Sequence, residues 1–248
     1  MLVTTEGIVL RQRKISGNRR MIVLFSKNYG KISAGTSINE KSKGKSALAL
    51  RPFTYAEYDI FKGRDSYSIN NAQVKHSYYS IGEDLDRFMV ASKLIEYLDA
   101  VLEEGQSRPK LFDMTLEFFE SITRAEGNYQ TLLYAFIVQT LRVQGIMPET
   151  KACVNCGKKT RELFSISAGG IICEACAEQE KRAGNSLINK PNFDIVEVLD
   201  YFMNNPLQRF EKITLKPKIS EELRAILSSY IKYHLGVSAL DNEFELTR

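Results

Sequence analysis

Two Cys-x-x-Cys pairs, Cys153-Val154-Asn155-Cys156 and Cys173-Glu174-Ala175-Cys176, hold the only four cysteines of this 248-residue chain. Pairs spaced in this way can deliver four thiolates, two by two, to the corners of a tetrahedron around one Zn²⁺. Between them, Glu162 to Ser167, then Ala168-Gly169-Gly170, then Ile171-Ile172 read as a β-hairpin that brings the two knuckles face to face. Four protein ligands leave no open coordination position, so the expected metal is a structural Zn²⁺, one per chain. Two disulfides or two redox motifs are the rival readings. A redox Cys-x-x-Cys belongs where a strand enters a helix of a βαβ unit, and no such unit is evident. The pattern therefore requires a small metal-holding hairpin over residues 150–180.

The start of the chain, Met1 to Glu6, lacks the basic region and apolar run of a signal peptide. No apolar stretch approaches the roughly 20 residues of a membrane span. A cytoplasmic protein with no membrane partner is expected. A reducing compartment in turn favours metal over disulfide.

Charge is unevenly spread. Residues 1–51 carry eleven Lys/Arg against Glu6 and Glu40, a balance of +9, whereas the remainder stands at −5. A basic segment on an otherwise acidic chain points to a polyanionic partner. Nine of its eleven cations fall in two groups. Arg11, Arg13, Lys14, Arg19 and Arg20 occupy a segment read as the loop joining the first two strands. Lys41, Lys43, Lys45 and Arg51 occupy a long connection after the third strand.

Residues 1–80 read as five short strands. These are Gly7–Leu10, Met21–Phe25, Lys31–Ala34, Phe53–Phe61 and Tyr67–Val74, the last two joined by the turn Lys62-Gly63-Arg64-Asp65. Five strands with one long polar connection suit a small oligonucleotide-binding (OB-fold) barrel, whose loops flank the strand-binding face. Tyr29, Phe53 and Tyr67 are candidate stacking surfaces for bases, with Phe53 and Tyr67 equally candidates for the barrel core.

From residue 81 the period turns helical. Leu85, Phe88, Met89, Ser92, Ile95, Leu98 and Leu102 form one face. Pro109 opens a second helix, and Leu132 to Leu141 mark a third. After the cysteines, Phe193, Val196, Leu199 and Met203 form a stripe that stops before Pro206. A final helix with Ser220 as its expected N-cap closes at Gly236. The fold class is thus α+β and multidomain. An OB-fold barrel over 1–80 precedes an all-α helical domain over 81–248, into which the four-cysteine zinc-binding hairpin is inserted.

Enzymatic chemistry finds no constellation. Gly44-Lys45-Ser46 lacks the earlier glycine of a phosphate loop, because position 39 is Asn. The two histidines, His76 and His234, stand apart. The His-x-Glu of zinc deaminases is missing, since Ser77-Tyr78 follows His76.

Thr5-Glu6-Gly7-Ile8-Val9-Leu10, Phe25-Ser26, Tyr29-Gly30-Lys31, Leu50-Arg51-Pro52-Phe53-Thr54, the two cysteine pairs and Tyr233-His234-Leu235-Gly236 occur in this order along the whole chain. As a colinear set they resemble the bacterial RecO family of DNA repair proteins. The resemblance implies a non-enzymatic protein that binds single- and double-stranded DNA and anneals complementary strands. With RecR, and in many bacteria RecF, it would help load RecA onto DNA coated by single-strand-binding protein, in the nucleoid. The chain departs from the family in two places. Ser16-Gly17-Asn18-Arg19-Arg20 replaces an acidic Gly-Glu-x-Asp stretch, and Ala34 to Asn39 replaces a basic run. An RNA-binding barrel protein of translation or RNA processing is the alternative of a different class. A zinc enzyme would need a ligand other than cysteine.

Overall fold

The computed structural model describes residues 1–17, 19–38, 45–64, 66–127, 129–184, 187–192 and 194–240, with the backbone alone at Lys45. The chain divides into two compact units, Met1–Arg124 and Ala125–Arg248.

The first unit begins with strands β1 (Leu2–Ser16), β2 (Arg19–Ser26) and β3 (Gly30–Thr36). A single helical turn α1 (Lys45–Leu48) and strands β4 (Thr54–Lys62) and β5 (Tyr67–Ser77) follow. The sheet runs β1-β2-β3-β5-β4 and closes as β4 pairs back onto β1. The pairings are antiparallel except β3 with β5, a short parallel seam from Ala34–Tyr67 to Thr36–Ile69. Val9, Ile22, Leu24, Ile32, Ala34, Tyr58, Ile60 and Ile69 fill the ring. Ala49 and Leu50, just after α1, join that core, and the Tyr58 hydroxyl donates to the Ala49 carbonyl at 2.6 Å. The end of the long basic connection is therefore apolar and buried.

Ile8, Leu10, Val23 and Phe25 are buried as well, although the alternation of β1 and β2 turns them outward. Helices α2 (Leu85–Val101) and α3 (Pro109–Arg124) cover that side. Phe25 meets Phe112 edge-on with ring centroids 5.2 Å apart. Strands buried on both faces read as continuous apolar runs, which is how Gly7–Leu10 and Met21–Phe25 stand out in the sequence. Asp84 caps α2, its carboxylate accepting from the Arg87 N–H at 2.8 Å. The expected α2 stripe holds in its second half, where Ile95, Leu98 and Leu102 are buried, and fails in its first. Leu85 and Phe88 are largely exposed, and the buried face runs through Val90, Ala91, Leu94, Tyr97 and Leu98. With apolar residues on most sides, the periodicity of α2 does not single out one face.

The expected loop from Arg11 to Arg20 is mostly strand. Arg11 pairs with Val23, Arg13 with Met21, Lys14 with Arg20 and Ser16 with Arg19, so β1 and β2 extend as a hairpin arm, with β3 paired to β2 as far as Arg20. Its side chains are mostly polar and exposed, so no apolar alternation marks it as strand.

The second unit is built on α4 (Tyr129–Val143), α6 (Ile195–Asn204) and α7 (Pro217–Leu235). Gln139 on α4 donates to the carbonyls of Phe202 and Asn205 at 3.0 and 2.9 Å. Between α4 and α6 lies the cysteine segment, with β6 (Leu163–Ser165), β7 (Gly170–Ile172), α5 (Glu174–Arg182) and β8 (Ile188–Asn189). The hairpin expected between the cysteine pairs is β6–β7, and β8 adds to the free edge of β6. Ser220 does not cap α7. The helix begins a turn earlier at Pro217, whose fixed φ suits the first helical position, with Lys216 as N-cap. Gly236 closes it at φ +70°. Phe193 lies outside the described residues. No helix among the described residues is long and apolar enough to cross a membrane.

Candidate nucleic-acid interface and metal centre

Three adjacent strands of the first unit bring several of the expected cations together. Across β1, β2 and β3 the register aligns Arg11 with Val23 and Ser33, and Arg13 with Met21 and Gly35. Cross-strand partners share a face, so Arg11 and Arg13 stand over an apolar strip made by Val23 and Met21. Lys14 and Ile15 complete the rim of a groove of about 520 Å³. Lys14 and Arg20 are themselves paired across the arm, and the Arg20 guanidinium donates to the Gln12 side chain at 3.2 Å. Arg11, Arg13, Lys14 and Arg19 are exposed. The arm thus carries Arg11, Arg13, Lys14, Arg19 and Arg20 within two short strand segments.

One carboxylate answers this charge. Asp99, near the C-terminus of α2, lies 3.5 Å from the Arg11 guanidinium and 3.7 Å from the Lys31 ammonium. Lys31 also donates to the Asp99 carbonyl at 2.7 Å. A helix C-terminus favours cations, so the end of α2 adds to the attraction. Among the described residues, no ion pair is formed by Arg13, Lys14 or Arg19.

The second group of cations is not brought to this groove. Lys41 and Lys43 lie outside the described residues, and Lys45 opens α1. Arg51 is exposed on the turn after α1 and does not line the groove. The aromatic candidates divide too. Phe53 is buried, its ring edge-on to Phe88 and Phe119. Tyr29 and Tyr67 pack against the ring's core, and the Lys62 ammonium sits 5.4 and 5.9 Å from their ring centroids. Sequence reading passed over Met21, Val23 and Ser33 as groove residues. Their signal is the period-2 alternation that puts them on the same face as Arg11 and Arg13.

In the second unit, the sulfurs of Cys153, Cys156, Cys173 and Cys176 all lie within 4.8 Å of one another. The Cys156 and Cys173 sulfurs are 3.7 Å apart. Bonds of about 2.3 Å to a central ion would give tetrahedral S···S edges of about 3.8 Å, so four thiolates here fit one metal ion. The first knuckle turns through Gly157 at φ +73°, whose N–H donates to the Cys153 carbonyl. The second is the start of α5, with Cys173 as N-cap and Cys176 in the first turn, where free N–H groups favour thiolate. Burial opposes ionisation of Cys153. The N–H groups of Cys173, Cys156 and Asn155 outweigh it and hold that thiol down to about 6. Cys176 is pushed the other way, up to about 12, by its hydrogen bond with Cys173, then by burial and by the remaining sulfurs. Four sulfurs this close cannot all carry charge alone, and a bound metal ion would let them.

The centre is tied to the unit's helices. His234 Nε2 lies 2.8 Å from the Ile166 carbonyl, and its ring meets that of Tyr230 at a tilt, with centroids 4.3 Å apart. Thr150 donates to the Asp200 carboxylate at 3.0 Å. Glu180 accepts from Asn155 of the first knuckle at 3.2 Å and from Ser165 of the hairpin at 2.9 Å. His234 is thereby accounted for as a structural side chain.

Comparison with known proteins gives concordant matches. The model described as "Recombination protein O N terminal" matches residues 1–78, and "Recombination protein O C terminal" matches residues 82–242. A protein named DNA repair protein RecO from Alkaliphilus metalliredigens is 32% identical over 237 residues, 95% of this chain and 94% of that one. One of the same name from Caldanaerobacter subterraneus is 31% identical over 243 residues, 98% and 96% of the two chains. Another, from Listeria monocytogenes, is 27% identical over 241 residues, 96% and 92%.

Proposed function

The chain belongs to the recombination protein O family, and on that premise we propose that it is a non-enzymatic DNA-binding mediator of recombinational repair. In this reading it binds single- and double-stranded DNA and anneals complementary strands. With RecR, and with RecF where present, it helps load RecA onto strands coated by single-strand-binding protein. The work is cytoplasmic, at the nucleoid.

The observation that carries the reading is the β1–β2 arm with its five cations in a closed five-stranded sheet. Two single strands repel through their phosphates. Arg11, Arg13, Lys14, Arg19 and Arg20 lower that repulsion while the bases stay available for pairing, and no bond is made or broken. Lys41, Lys43, Lys45 and Arg51, in the connection that follows, are the further cations of this reading. Residues 1–80 act as the nucleic-acid-binding domain, and 81–248 as the helical domain that meets protein partners. Cys153, Cys156, Cys173 and Cys176 hold one structural Zn²⁺, which keeps the 150–180 insert folded and supplies no reaction chemistry.

Strand annealing of complementary DNA oligonucleotides, followed through a salt titration with and without single-strand-binding protein, tests this reading. Acceleration that fades as salt rises is expected, because phosphate contacts release counterions. A protein that leaves annealing at its spontaneous rate at every salt concentration, or that acts only on RNA of the same sequence, overturns it.

A further inference from the structure

A surface that only neutralised phosphates would have no use for an apolar floor, yet the groove beside the arm has one. Met21 is 36% exposed and Ile15 58% exposed, both at the groove and both flanked by cations. Next to Met21 on β3 stands Gly35. A Cβ built there would meet nothing nearer than the Tyr67 carbonyl at 4.0 Å, so the floor is flat and open at that point. Arg11 and Arg13 are two residues apart on one strand face, which sets them about 6.8 Å apart along the strand. One nucleotide of an extended strand can match that spacing.

We propose that this groove takes one unstacked base of a single strand, its face on Met21 and Ile15 and its flanking phosphates on Arg11, Arg13 and Lys14. The arm then distinguishes single-stranded from duplex DNA. The proposal rests on the reading of the arm as the DNA-binding element. A duplex keeps its bases stacked inside and offers the arm only its phosphates and groove edges. A single strand can turn a flat apolar face outward, and removing that face from water adds to the phosphate contacts. The volume of about 520 Å³ falls within the range of small-ligand sites and leaves room for a base with its sugar.

Three labelled ligands of equal phosphate number test the proposal by fluorescence anisotropy on the full chain: oligothymidylate, a duplex, and a strand whose central sugars are abasic. The Met21→Ser/Ile15→Ser variant changes exposed side chains, and an unaltered melting curve verifies its fold. It is expected to lose about fivefold in affinity for oligothymidylate, the lower end of what stacking one base carries. Its loss on duplex should be clearly smaller, and the unmodified protein should bind the abasic strand more weakly than oligothymidylate. Equal losses on duplex and single strand, or equal binding of the abasic strand, overturn the base site. The Arg11→Gln/Arg13→Gln/Lys14→Gln variant is the separate arm of the test. It should weaken all three ligands. If it weakens none, the arm is not the DNA-binding element, and the base site falls with it.

Discussion

The Arg11 guanidinium is held 3.5 Å from the Asp99 carboxylate, which reaches from α2 to the base of the basic arm. The Arg11 side chain is nonetheless 67% exposed. An ion pair this open contributes at most about 1 kcal/mol and yields readily to a competing anion. If Arg11 contacts DNA as proposed, a phosphate would compete with Asp99 for it. Asp99→Asn should raise DNA affinity about two- to threefold at low salt, with the gain vanishing at high salt as screening grows. Binding isotherms at two ionic strengths check this, and weaker binding by Asp99→Asn would count against a phosphate site at Arg11.

Gly30 fixes the start of β3 against the connection between α2 and α3. Its φ is +67°, and an added Cβ would sit 2.0 Å from the Gln106 carbonyl oxygen. The obstacle is backbone, so no side chain can swing aside. Gly30→Ala should cost at least about 2 kcal/mol, or roughly 4–8 °C in melting temperature. Gly82→Ala, where nothing lies within 4 Å, serves as the control. A melting temperature for Gly30→Ala equal to that of the control contradicts the packing described.

The ring contains a like-charge pair that fixes its pH response. Glu6 on β1 stands directly opposite Glu57 on β4, an arrangement that repels. Lys75 from β5 sits between them, bonded to Glu6 and 3.8 Å from Glu57. Hydrogen bonds from Lys75 and then Tyr55 hold the Glu6 carboxyl below its ordinary 4.5, against the pull of burial. The bond to Glu6 holds Lys75 above its ordinary 10.5. A lowered acid stabilises the fold above its unfolded pKa, and that stability is lost as pH falls through the folded value. A raised base stabilises below its unfolded pKa, and loses that effect as pH rises through the folded one. Stability from this cluster is therefore at full strength between 4.5 and 10.5. Glu6→Gln should flatten the acid limb of a melting-temperature titration. Acid limbs that run parallel in the two proteins would show that Glu6 contributes nothing.

Metal removal should act on the second unit alone. We expect one zinc per chain by elemental analysis and four-sulfur coordination by X-ray absorption. Cys173→Ser should lose the metal and open the β6–β7 hairpin to protease, while the first unit keeps its DNA affinity. A metal-free protein whose insert resists protease as the metal-loaded one does would remove the structural role. Fewer than four sulfurs at the metal would restore the possibility of an open, catalytic site.

The sequence made the cysteine centre legible because its ligands are rare residues at fixed spacing, and the hairpin between them carries a Gly-Gly turn. The β-strands buried on both faces were legible too, since Gly7–Leu10 and Met21–Phe25 are unbroken apolar runs. The arm was hidden. From Arg11 to Arg20 exposed strand and loop have nearly the same composition, and only cross-strand pairing tells them apart. The Arg11–Asp99 pair was invisible for a different reason, since it joins residues 88 positions apart through the packing of α2 on β1. Phe53 stayed open between stacking surface and core because an aromatic at a strand start reads alike whether it faces solvent or, as here, helices.

If the charges of the arm hold DNA, the salt dependence of binding must report them. Affinity for a single-stranded oligonucleotide should be measured across salt for the unmodified protein and for Arg13→Gln/Lys14→Gln/Arg19→Gln. Each phosphate left without its cation should lower the slope of log affinity against log salt by about 0.7. Weaker binding and a slope shallower by about 2 are expected, with the fold intact. Unchanged affinity with an unchanged slope would place the DNA elsewhere on the protein.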